Sequence, residues 1–149
     1  MKKSIISYIL IAIILVSSNA TLAININNLK TTAEIIYVDD DNTEGPWLGT
    51  IDNPYKTIYD GVFYSTQGDT IFVFDGTYYE NIVIDKRTSL IGEGKAIIDG
   101  MYGNYVVYLN QNSVILKDFI IRNSGGFKGD SGILINSDNN LIIDCEIYR

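Results

Sequence analysis

The chain has 149 residues with 18 acidic and 11 basic side chains, a net charge of −7, no histidine and one cysteine. An acidic balance argues against a nucleic-acid or anionic-lipid partner, which needs clustered Lys and Arg. The missing histidine removes any imidazole base or metal ligand, and a lone cysteine rules out an internal disulfide.

Lys2 and Lys3 precede an apolar run from Ile5 to Val16, and small and polar residues follow to Ala23. This order reads as a secretory signal peptide over 1–23, cleaved after Ala20 or Ala23. An uncleaved anchor is the alternative, although the run is short for a span of ~20 residues. Cleavage leaves 9 basic and 18 acidic residues and no membrane span. The expected location is secreted or cell-surface, with the periplasm included.

Residues 24–34 form a polar lead-in, and 35–149 the single folded domain. Ile35-Ile36-Tyr37-Val38 reads as a strand. Asp39, Asp40 and Asp41 follow it as candidate calcium ligands, because calcium takes oxygen donors. Adjacent strand residues point opposite ways, however, and a solvated turn explains the run as well. Asn53 and Pro54 suit the N-cap and first position of an eleven-residue helix that Gly68 ends. Ile58 with Val62 and Tyr59 with Phe63 lie four apart on it. A helix this short needs a surface to dock on, and we expect it to cap the N-terminal mouth of the domain.

From Ile71 onward, apolar residues return every 24 to 26 positions. The series are Ile82, Val107, Ile133; Ile84, Leu109, Ile135; Ile91, Leu116, Ile142; and Val73, Ile97, Ile121, Ile147. Turn residues keep step as Asp85, Asn110, Asn136 and as Asp75, Asp99, Asn123. A period of this size marks a repeat protein. Each repeat breaks into short alternating strands, so residues one repeat apart stack ~4.8 Å apart in parallel ladders. The fold class expected is all-β, a right-handed single-stranded parallel β-helix (a solenoid) with the short N-terminal capping helix. An antiparallel sandwich shares the local strand spacing but not the longer period. The last ladder residues before Arg149 would be left open, so the domain is expected to be truncated at its C-terminal end, with missing downstream coils or another chain covering it.

The order Pro54-Tyr55-Lys56-Thr57-Ile58, Gly68-Asp69-Thr70-Ile71, Gly76-Thr77-Tyr78 and Leu90-Ile91-Gly92 resembles the start of right-handed parallel β-helix proteins of the pectin-lyase-like superfamily. Gly132-Ile133-Leu134-Ile135, Asn139-Asn140-Leu141-Ile142 and Cys145-Glu146-Ile147 resemble the repeat of its NosD-like branch. The resemblance covers residues 36–149 and rests on turn and core positions. It implies a fold more than an activity.

Enzymes of that superfamily cleave acidic polysaccharides with calcium, carboxylates and a basic residue, or with clustered Asp and His. No such constellation is present, and the paired carboxylates of glycoside hydrolysis have no evident counterpart. Asp118 and Asp144 would stack one repeat apart, as exposed turn residues also would. Copper, implied by the NosD-like resemblance, favours His, Cys or Met donors, and the mature chain offers Cys145 and Met101. Cys145 reads as a core residue in register with Phe119. Ligand-binding candidates are Tyr108, outward between Val107 and Leu109, with Tyr78, Tyr79, Tyr102 and Tyr105 near it in sequence. Phe127, Lys128 and Asp130 join them, in the Gly-rich insertion 124–132. The expected role is a binding or structural scaffold contacting carbohydrate or another surface component, with no cofactor beyond calcium. The alternatives are part of a polysaccharide lyase or glycoside hydrolase, and a copper-delivery accessory protein.

Overall fold

A computed structural model of the chain describes residues 32–149. The stretch read as a signal peptide, 1–23, and most of the expected lead-in lie outside the described residues. The strands are β1 (Ile35–Val38), β2 (Thr70–Val73), β3 (Thr77–Tyr79), β4 (Ile82–Ile84), β5 (Ser89–Gly103), β6 (Tyr105–Leu109), β7 (Ile115–Ser124), β8 (Ser131–Ile135), β9 (Leu141–Ile143) and β10 (Glu146–Tyr148), with one helix, α1 (Ile58–Tyr64). The described chain is therefore all-β with one short helix, and every pairing between these strands is parallel.

The pairings form three ladders. The first runs β1, β2, the start of β5, the start of β7, then β9. The second runs β3, the later part of β5, the later part of β7, then β10. The third is β4, β6, β8. Side chains alternate across each strand, so one set from every ladder faces a common core. Val38, Ile71, Ile84, Leu90, Ile98, Leu109, Leu116 and Ile121 are fully buried there.

Two expected series are direct partners: Ile82, Val107, Ile133 and Ile84, Leu109, Ile135. The other two hold at their later members and need correction at the earlier ones, by one residue at Ile91 and Ile97 and by a whole ladder at Val73. Leu116 lies opposite Leu90, not Ile91, and Ile121 lies opposite Ile98, not Ile97. Val73 lies opposite Gly92. The cause is a protrusion in β5. Between the pairs Ile91–Lys117 and Ala96–Phe119, β5 uses Gly92 to Lys95 where β7 uses only Asp118. The spacing is therefore long before this knuckle and short after it. The turn series Asp75, Asp99, Asn123 fails for the same reason, since Asp99 lies opposite Tyr79 and Arg122. The third ladder has no such protrusion. There Asn136 Nδ2 donates to Asn110 Oδ1 at 3.2 Å, so those two turn residues do keep step.

The helix begins later than its sequence predicts. Tyr55 pairs with β1 instead, its N–H donating to Tyr37 O and its carbonyl accepting from Asp39 N. That contact holds residues 53–55 extended and moves the N-cap to Thr57, whose Oγ1 accepts from Asp60 N at 3.0 Å. The helix then has seven residues, too few to stand alone. It buries Ile58, Gly61 and Val62. A Cβ on Gly61 would lie 2.7 Å from Val38 Cγ2 and 3.0 Å from Ile71 Cγ2, so only glycine allows this approach to the first two strands.

Both helix ends are held from beyond the helix. The Glu80 carboxylate accepts from Ile58 N and Tyr59 N, each at 2.9 Å. Lys86 Nζ donates to Val62 O, Phe63 O and Ser65 O at 3.0, 2.6 and 2.9 Å. These contacts satisfy backbone groups that a helix end leaves free, and both charges oppose the helix dipole.

Candidate functional site: a groove on the second ladder

On the second ladder the core-facing residues are Tyr78, Ile98 and Ile121, all buried. Tyr78, grouped with the outward tyrosines by its sequence position, is thus a core residue. Its Oη donates to Phe74 O at 3.1 Å and accepts from Asp40 N at 3.3 Å. The residues between them face out in two columns. Thr77, Ile97, Ile120 and Glu146 are register partners in one. Tyr79, Asp99, Arg122 and Tyr148 are register partners in the other.

The knuckle borders this face. Gly94 and Lys95 both have positive φ, +61° and +127°, and the loop projects Lys95 outward. Lys95 Nζ reaches Glu146 Oε1 at 2.6 Å, passing across β7, which separates β5 from β10. Two cavities of about 610 Å³ each flank it. Asp75, Thr77, Glu93 and Ile97 line one, and Asp118, Ile120, Asp144 and Glu146 line the other. Asp118 and Asp144 share a left-handed backbone, φ +61° and +50°. The expected stacking of these two carboxylates places them on the rim of this groove.

Within the second column Asp99 is 4% exposed. Burial alone would raise its pKa. Donors from Met101 N–H, Asn123 Nδ2 and Arg122 Nε outweigh burial and hold its carboxyl below the usual range. Asp99 is consequently an anion and a fixed acceptor. Bonds to Glu146, Asp118 and Asp99 raise the pKa values of Lys95, Lys117 and Arg122 respectively. The groove therefore presents protonated donors, fixed carboxylate acceptors, an apolar floor of Ile97 and Ile120, and the exposed rings of Tyr79 and Tyr148.

Of the residues singled out from sequence, Asp118, Asp144, Cys145 and Tyr79 lie at this groove and the others do not. Tyr108 faces out on the third ladder between Val83 and Leu134, with its ring 5.4 Å from that of Tyr105. Phe127 and Lys128 are exposed on the loop between β7 and β8. Asp130 closes that loop, its Oδ2 accepting from Phe127 N at 2.6 Å. Asp39 Oδ1 accepts from Asp41 N at 2.9 Å, and Asp40 Oδ2 accepts from Thr77 N at 3.2 Å. Burial raises the pKa of Asp40 against that bond, with Asp41 and Asp39 adding to the rise. Among the described residues, no group of three or more His, Cys, Asp or Glu side chains is placed to hold a metal ion. Cys145 packs on the core half-buried, and burial raises its thiol pKa.

Sequence reasoning named Tyr79 only as a neighbour of Tyr108, and passed over its column partner Tyr148, the pair Asp99 and Arg122, and Lys95. Opposite charges 23 apart were the available signal, but they fall outside the 24-to-26 period used to align the repeats.

Among the described residues no helix is long and apolar enough to cross a membrane. No protein-family model matches this sequence. None of the curated proteins matches it either.

Proposed function

We propose that the chain is an exported right-handed parallel β-helix that binds a neutral carbohydrate along the groove of the second ladder. Three parallel ladders around one core, together with the repeat period, support the architecture. The observation that carries the binding role is the column Tyr79, Asp99, Arg122, Tyr148, in which exposed rings stand either side of a locked ion pair. A sugar offers C–H faces to aromatic rings and hydroxyls that both donate and accept, and this column meets both needs. Neutral chains are favoured because Asp75, Glu93, Asp118, Asp144 and Glu146 outnumber Lys95, Lys117 and Arg122, and would repel a polyanion.

The reading favours a scaffold. Lys95, Lys117 and Arg122 are held protonated by their carboxylate partners, so none of them serves as the neutral base of a lyase. Titration calorimetry with neutral and acidic oligosaccharides tests this. Tyr79→Ala with Tyr148→Ala should weaken binding of a neutral oligomer at least about tenfold while leaving the unfolding midpoint in place. Binding that ignores both substitutions, or confined to acidic chains, would refute the assignment. Release of unsaturated or reducing ends would replace it with a lyase or hydrolase.

A further inference from the structure

At the knuckle of β5, Lys95 sits at φ +127°, outside the regions that L side chains favour. Strained residues of this kind gather at ligand clamps and switch segments. A Cβ on the neighbouring Gly94 would meet nothing within 4 Å, so the tip of the knuckle stands clear of the ladders. The Lys95 side chain is tied to Glu146 at 2.6 Å. Glu146 lies two rungs from β5, since Ile120 separates it from Ile97 in the outward column. Asp118, on the intervening strand, is already taken by Lys117, whose Nζ reaches its Oδ2 at 2.9 Å. Lys95 therefore reaches over the apolar floor of the groove, and it borders both cavities.

We propose that Lys95 and Glu146 form a strap that selects the ligands of this groove by length. The strap presupposes carbohydrate binding along the second ladder. Tyr79 and Tyr148 stand three rungs apart, ~14 Å. A short saccharide fits in one cavity, beside the strap. A chain that covers Ile97 and Ile120 and reaches both rings must displace Lys95 from Glu146. Its affinity is then reduced by the fraction of molecules in which the pair is open. The two side chains are 66% and 54% exposed, so the pair is weak enough for a ligand to open and is screened by salt.

Calorimetric titration with neutral di- and hexasaccharides of glucose, mannose and galactose tests the strap. Lys95→Ala and, from the other side, Glu146→Gln should each tighten hexasaccharide binding about two- to fivefold, and by more than they change disaccharide binding. Raising the salt to about 1 M should tighten hexasaccharide binding to the unaltered chain more than to Lys95→Ala. Weaker hexasaccharide binding by Lys95→Ala would overturn the proposal, because the ammonium would then be a ligand contact. Binding that requires Tyr79 and Tyr148 but ignores salt and both substitutions would overturn it too, with carbohydrate recognition intact. If no oligosaccharide of any series binds, carbohydrate recognition and the role of the strap fall together.

Discussion

The two ends of the ladders carry the same kinds of residue in different surroundings. At the first end Val38 and Ile71 lie under Gly61 of the helix and are fully buried. At the other, Ile135, Ile142 and Ile147 are 49%, 40% and 50% exposed, although their partners Leu109, Leu116 and Ile121 are fully buried. Side-chain type and register are alike along each series. What differs is whether something lies on the outer side of the strand. Burial in this fold is conferred by the next layer along the ladder, and the helix supplies that layer for the first strands.

The sharpest way to break this comparison is truncation of register partners. Leu116→Ala should cost about 2–5 kcal/mol in denaturant unfolding of the 149-residue chain. Ile142→Ala, one strand away on the same series, should cost well under half of that, because much of its surface is already in water. Equal costs would mean that the outer strand is covered in solution.

Gly61→Ala comes next. The added methyl meets Val38 and Ile71, and the helix must lift to accept it. A loss of about 1–3 kcal/mol is expected, with amide exchange accelerated in residues 58–64 before the third ladder responds.

The acid limb separates the buried carboxylate of Asp99 from the half-buried one of Glu80. The pKa of Asp99 is lowered in the fold, so its contribution is present above the unfolded carboxyl pKa and is lost as pH falls through the folded value. Asp99→Asn should flatten the acid side of the stability curve. The pKa of Glu80 is raised by burial, against the two helix N–H bonds that lower it. Its titration therefore adds stability below the unfolded pKa, and this is lost as pH rises through the folded value. Glu80→Gln should change the slope in the opposite sense. Stability measured between pH 3 and 6 checks both signs.

The smallest effect belongs to the groove. Lys95→Ala removes an ion pair whose side chains are 66% and 54% exposed. The unfolding midpoint should not move measurably, since exposed pairs contribute little. Oligosaccharide affinity should change, which would separate the groove's function from the stability of the layers beneath it.

Where each strand is short and uninterrupted, register could be read from the sequence. Ile82, Val107, Ile133 and the asparagines at 110 and 136 show this, because period-2 alternation survives along the third ladder. It failed where the chain leaves the ladder. The residues Gly92 to Lys95 add length without adding a rung, and Ile91 and Ile97 then look aligned when Leu90 and Ile98 are. The same slip hid the Asp99–Arg122 pair, and with it the groove. The helix start was misplaced because local capping signals at Asn53 and Pro54 yield to strand pairing between Tyr55 and β1. Surface chemistry was the least legible, since exposed Tyr79 and Tyr148 differ from any strand tyrosine only in their neighbours.

The fasteners of the helix have a consequence for how the chain is made. Glu80 and Lys86 follow the helical groups they hold by 22 and 24 residues. During synthesis residues 58–64 therefore emerge with Thr57 and β1 already made but before Glu80 and Lys86 can hold their two ends. The lid is written early and shut late, so a pause between codons 64 and 86 would leave the first strands uncovered for its full duration.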